Sequence, residues 1–167
     1  MTFTNEEKFY QQAAARCAGR EYCRHDWQQK AIAAGFTAEQ TERIVLQLTT
    51  EGFINDARYA KAFAHDKMHY DRWGRIKIRQ ALRMKGISSE IIENALENID
   101  SHEYLNILTQ IISSKERSMK AKTNYERRQK LARFAIGRGF EPHLVFDAIG
   151  DHEEEDGFNA TASEDCW

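Results

Sequence analysis

Ile78-Arg-Gln-Ala-Leu-Arg-Met-Lys-Gly86-Ile87 decides the fold, because the chain carries its pattern three times. Trp27-Gln-Gln-Lys-Ala-Ile-Ala-Ala-Gly35-Phe36 comes before it, and Leu131-Ala-Arg-Phe-Ala-Ile-Gly-Arg-Gly139-Phe140 comes after. In each, an apolar residue stands eight positions ahead of a glycine and a bulky apolar residue follows the glycine. The glycines are 51 and then 53 residues apart. A recurrence at such a period marks an array of small supersecondary units.

The unit can be read physically. A helix runs up to each glycine, which suits the left-handed position just past a helix end. The apolar residue after it can fold back on the last turn. A second helix then starts at once. Thr37-Ala-Glu-Gln40 is a capping box, Ser88 is an N-cap, and Pro142, the only proline, fits a first helical turn. Apolar residues continue at helical spacing: Ile44, Val45 and Leu48; Ile91, Ile92, Ala95, Leu96 and Ile99; Leu144, Val145, Ala148 and Ile149. A further helix precedes each pair, at roughly 6–19, 55–70 and 102–120. Asn55-Asp56 caps the middle one, and Tyr104, Leu105, Leu108, Ile111 and Ile112 give the last its apolar stripe. The pattern predicts an all-α fold of three tandem three-helix repeats in an elongated, curved array. The repeats cover 6–53, 54–100 and 101–151, and 152–167 form an acidic, disordered tail.

Bulk composition agrees. One proline and nine glycines in 167 residues favour helix over an all-β fold, and 30% charged with 11% aromatic residues is globular. Cys17, Cys23 and Cys166 make no disulfide framework and no C-x-x-C pair, which fits a reducing compartment. The N-terminus carries acids where a signal peptide would be basic, and no stretch is apolar enough to span a membrane. The chain reads as cytoplasmic, and a polar-surfaced short array as a monomer.

The net charge of −2 conceals segregation. From Arg72 to Lys85 there are six basic residues and no acid; from Lys115 to Arg138 there are nine basic and two acidic. After Arg138 there is no lysine or arginine, but nine acids. A helix over 72–85 would align Arg72, Arg75, Arg79 and Arg83 on one face, with Lys77 and Lys85 nearby. Without acids alongside, such a face repels itself until a polyanion or an acidic partner neutralises it. A helix over 124–138 repeats the theme with Arg127, Arg128, Lys130 and Arg133, whereas the first unit offers only Arg24 and Lys30. The guanidinium fork suits phosphate or carboxylate. The opposing reading is a solvated helix surface.

Other constellations read as structural. His65 and His69 stand one turn apart, but no third ligand is evident, so no metal site is expected. Cys17 reads as a small core residue. Trp27, Tyr59, Phe63, Phe134 and Phe140 read as packing. So does Trp73, though it lies closest to the basic face. No Gly-rich phosphate loop, nucleophile elbow or nucleotide fingerprint is present, and Gly137-Arg-Gly139 is a helix end. Nothing calls for an enzyme or a cofactor.

Gly52-Phe-Ile-Asn-Asp56-Ala-Arg58-Tyr-Ala60 followed by Gly74-Arg-Ile-Lys-Ile-Arg-Gln-Ala-Leu82-Arg-Met-Lys-Gly86-Ile87 resembles the central motif of the RecX family. That motif reads G-Y-L-D-D-x-R-F-A, then G-x-x-x-I-x-x-x-L-x-x-K-G-I, and Phe53, Ile54, Asn55 and Tyr59 depart from it conservatively. The resemblance covers about 9–151. It implies three three-helix repeats and a regulator that lodges in the RecA filament on single-stranded DNA. It further implies inhibition of the filament's ATPase, strand-exchange and coprotease activities. Laid over the family, the basic residues suggest a contact surface of Arg72, Arg75, Lys77, Arg79, Arg83 and Lys85, then Arg127, Arg128, Lys130 and Arg133. The residues alone leave open a direct DNA-binding module or a helical adaptor for an acidic protein.

Overall fold

The computed structural model describes residues 4–150. Among them are nine α-helices and no strand: α1 (Asn5–Cys17), α2 (Arg24–Ala33), α3 (Ala38–Thr50), α4 (Asp56–His69), α5 (Arg75–Met84), α6 (Ser89–Glu97), α7 (Ser101–Ser118), α8 (Asn124–Gly137) and α9 (Pro142–Ile149). They pack in consecutive threes. Among the described residues, no helix is long and apolar enough to cross a membrane. The expected tail, 152–167, lies outside the described residues.

The three glycines have one job. Gly35, Gly86 and Gly139 take φ of 90°, 68° and 93°. At each, the glycine amide donates three residues back and the next amide donates five residues back: Phe36 to Ala31, Ile87 to Leu82, Phe140 to Ala135. This is the Schellman ending, which satisfies two carbonyls that the helix leaves open. It also turns the following apolar side chain inward. Ile87 and Phe140 are buried and Phe36 is partly so. Trp27, Ile78 and Leu131, two turns upstream, are buried too.

The next helix is then started by a cap. Thr37 and Gln40 close a capping box, Ser88 Oγ accepts from the Ile91 amide, and Pro142 opens α9. Asn55 Oδ1 accepts from the Arg58 amide at the start of α4. Each cap of this kind stabilises its helix by about 1 kcal/mol.

The buried residues fall into two cores, not three. Tyr10, Ala13, Trp27, Ile44, Val45, Leu48 and Ile54 form the core of α1–α3. A second, continuous core runs through α4–α9. Cys23 belongs to that larger core although it precedes α2.

The join between α4–α6 and α7–α9 explains the continuity. Gly74, the residue before α5, has no side chain to cap the helix. Three amides at that helix start are satisfied from the next trio instead. Gly74 donates to the Arg138 carbonyl, Ile76 to the Gly139 carbonyl, and Arg75 to the Tyr104 hydroxyl, at 2.9, 3.0 and 3.0 Å. A Cβ on Gly74 would collide with the Gly139 backbone, and one on Gly139 would collide with Lys77. The two glycines thus permit a backbone-to-backbone approach that no other residue allows.

Two sequence expectations change here. The helix expected over 72–85 starts at Arg75, so Arg72 is not on its face. Arg72 lies in the α4–α5 connection with φ 56°, the one non-glycine residue with positive φ among those described. On α7, Leu105 is 43% exposed while Ile107 takes the buried place.

Candidate functional site

The two basic segments converge around α5, α7 and α8, but many of their cations are already engaged within the chain. Arg79 grips Glu93 of α6 with both prongs of its fork, at 2.7 and 2.9 Å. That bond raises the Arg79 pKa and holds the Glu93 carboxyl below its usual range. Arg75 lies 3.9 Å over the Tyr104 ring and 3.4 Å from Glu141, whose other oxygen accepts the Tyr104 hydroxyl. Burial, then the bond to Glu141, raises the Tyr104 phenol pKa, so it stays protonated. Lys85 reaches back 2.6 Å to Asp26 of α2. Arg127 bonds Glu116 and Asn124, Lys130 bonds Glu126 and the Lys120 carbonyl, and Arg128 bonds the Gly150 carbonyl.

The expected self-repelling face is therefore corrected. Acids absent from 72–85 arrive from positions 26, 93 and 141, brought in by folding. A charge count along the chain could not find them, because pairing across 14 to 66 residues is a property of the fold.

Four of the ten suggested residues remain without an ion pair among the described residues: Arg72, Lys77, Arg83 and Arg133. Lys77 stands 4.4 Å over the Trp73 ring, with Lys67 at 4.7 Å from that ring. Trp73 is half-buried against the larger core. Arg83 and Arg133 are exposed. The Arg72 guanidinium donates to Gln110 of α7, at 3.2 Å. Its left-handed backbone costs a residue bearing a Cβ about 1–2 kcal/mol.

Arg72 also opens a groove that sequence reasoning did not assemble. It shares the groove with Lys115 and Arg117 of α7 and with Arg138, just past α8. Phe134 lies between Lys115 and Arg138, which approach its ring at 5.1 and 5.7 Å. The run Ser113-Ser114-Lys115 was the available signal, since hydroxyls beside a lysine on an exposed helix turn serve no core.

The histidine rings lie side by side with centroids 4.2 Å apart and planes tilted by 42°, and His69 Nε2 is 3.4 Å from Glu103. No three histidine, cysteine, aspartate or glutamate residues gather as a metal-ligand set among the described residues. Cys17 and Cys23 are both free thiols, and burial pushes the Cys23 thiol up to about 11.

A family model for the second three-helix domain of RecX matches residues 55–96, and one for the third matches 102–149. The chain belongs to the RecX family. The Regulatory protein RecX of Clostridium perfringens (strain 13 / Type A) is 30% identical to this RecX-family chain over 114 residues, 67% of this chain and 53% of the relative. The chain thus spans about half the length of the clostridial relatives it matches. The Regulatory protein RecX of Prosthecochloris aestuarii is 27% identical over 90% of this chain and 97% of its own. A crystal structure of RecX from Lactobacillus salivarius shares the fold, with a TM-score of 0.76 at 19% identity over 86% of this chain and 93% of that one. The RecX models meet α4–α9, the part that holds the continuous core and both basic segments.

Proposed function

We propose that this RecX-family chain regulates a RecA-type recombinase by binding its filament on single-stranded DNA and inhibiting ATP hydrolysis, strand exchange and coprotease action. The observation that carries this reading is the match of α4–α9 to the two RecX domains, together with relatives named as regulatory proteins. The surface chemistry supports it. Lys77, Arg83 and Arg133 form no ion pair among the described residues, and Arg72 adds a fourth such cation. A nucleoprotein filament offers phosphates and carboxylates together, and both suit these cations. Arg75, Arg79 and Lys85 contribute by fixing α5 against its neighbours.

The test adds the chain to RecA, single-stranded DNA and ATP and follows hydrolysis and strand exchange. Inhibition at micromolar concentration or below is expected. Undiminished hydrolysis with no filament binding would sink the reading. Binding to acidic protein with no nucleic acid present would favour an adaptor instead.

A further inference from the structure

We propose that the groove between the α4–α5 connection and helices α7 and α8 binds the phosphate backbone of a single nucleic-acid strand. The groove has a volume of 660 Å³, room for about two nucleotides on the scale of small-ligand clefts. Arg72, Lys115, Arg117 and Arg138 supply four cations, and Ser113 and Ser114 supply exposed hydroxyls. None of the residues lining it is acidic. None of the four cations forms an ion pair among the described residues. This separates the groove from Arg75, Arg79 and Lys85 at α5, which Glu141, Glu93 and Asp26 already pair.

Two further observations point to a ligand from outside the chain. Arg138 Nε is buried and has no hydrogen-bond partner. Arg138 as a whole is part-exposed and its side chain makes no hydrogen bond among the described residues, so its guanidinium keeps donors for an external acceptor. Arg72 holds φ 56° in a connection where glycine would sit without strain, and its side chain is turned to Gln110 on the groove wall. Strain kept at a non-glycine residue is a pointer to function.

The ligand follows from the donors. Guanidinium forks, an ammonium and hydroxyls match phosphate oxygens. The aromatic ring present, Phe134, is approached by Lys115 and Arg138 and is only partly exposed, so it is poorly placed to stack a base. Contact falls on phosphates and carries no sequence preference. This goes beyond the recombinase reading, because the groove needs no recombinase to engage a strand.

The experiment is fluorescence anisotropy of a labelled 20-residue oligothymidine with the full chain, in rising salt and without recombinase. Binding should weaken linearly in a log–log plot against salt. Arg72→Gly relieves the backbone, so its melting temperature should match or exceed that of the parent, yet it should bind several-fold more weakly. Its salt slope should fall by about 0.7, the loss of one single-strand phosphate contact. Lys115→Ala with Arg117→Ala should move both quantities further. Arg43→Ala, on α3, should bind like the parent. ATP at equal phosphate concentration should not displace the strand. No binding at low salt, parent-like binding by Arg72→Gly, or displacement by ATP as effective as by unlabelled strand would each overturn the proposal. Because recombinase is absent, a negative result here leaves the filament reading untouched.

Discussion

Arg79 and Arg83 lie one turn apart on α5 and have opposite situations. Arg79 is held by both oxygens of Glu93, while Arg83 is exposed and forms no ion pair among the described residues. Arg79→Ala should therefore lower stability by about 1 kcal/mol, discounted for its partial exposure. Arg83→Ala should leave the melt nearly unchanged and weaken filament binding instead. Thermal unfolding and filament binding of the two variants decide this. Tyr104 makes the same point in the core: its hydroxyl accepts from the Arg75 amide and donates to Glu141. Tyr104→Phe would strand both partners at a partly buried site and should lower the unfolding free energy in urea by about 1–3 kcal/mol. The sequence showed which residues were basic. It did not show which were spent, because the balancing acids come from α2, α6 and the α8–α9 turn.

At the scale of elements, what was legible follows whether a signal is local. The helix endings at Gly35, Gly86 and Gly139 were readable, because a Schellman ending needs only its own glycine and the apolar residue after it. The caps Thr37, Ser88 and Asn55 were readable for the same reason. The start of α5 was not. Gly74 offers no cap, and its helix start is satisfied by carbonyls and a hydroxyl of the next trio. The groove was illegible on the same ground, since Arg72, Lys115 and Arg138 meet only after folding. Two glycine variants separate the local from the non-local role. Gly86→Val meets open space and suffers backbone strain alone, so it should cost about 1–2 kcal/mol. Gly139→Val adds a collision with Lys77 to the same strain and should cost clearly more, by a further ~1–3 kcal/mol. Equal losses in the two melting temperatures would contradict the close approach of Gly74 and Gly139.

At the scale of the whole molecule, the two cores suggest two stretches of unequal attachment. Helices α4–α9 share one interior, whereas α1–α3 have their own and meet α4–α6 through Cys23, buried in the larger core, and through polar links. Those links are Lys85 to Asp26, Arg58 to Glu21, and the Arg24 amide to Asp56. Burial alone would raise the Asp26 carboxyl, but the bonds from Lys85 and from the Cys23 amide outweigh it and hold the pKa below its usual value. A depressed carboxyl stabilises the fold fully above its unfolded pKa, near pH 4, and the contribution is lost as pH falls through the folded value. Asp26→Asn should therefore be less stable than the parent at neutral pH and lose less on acidification below about pH 4. Urea unfolding across that window reads the difference. The charge asymmetry points the same way, with the basic segments confined to the part that matches the RecX domains.

If the chain regulates a recombinase, its surface of unpaired cations must engage the recombinase filament. Co-sedimentation of the full chain with RecA filaments formed on single-stranded DNA tests it most directly. The chain should pellet with the filament at micromolar concentration, and Lys77→Ala, Arg83→Ala and Arg133→Ala together should release it without lowering its melting temperature. A chain that stays in the supernatant, or a triple variant that pellets as well as the parent, would contradict it.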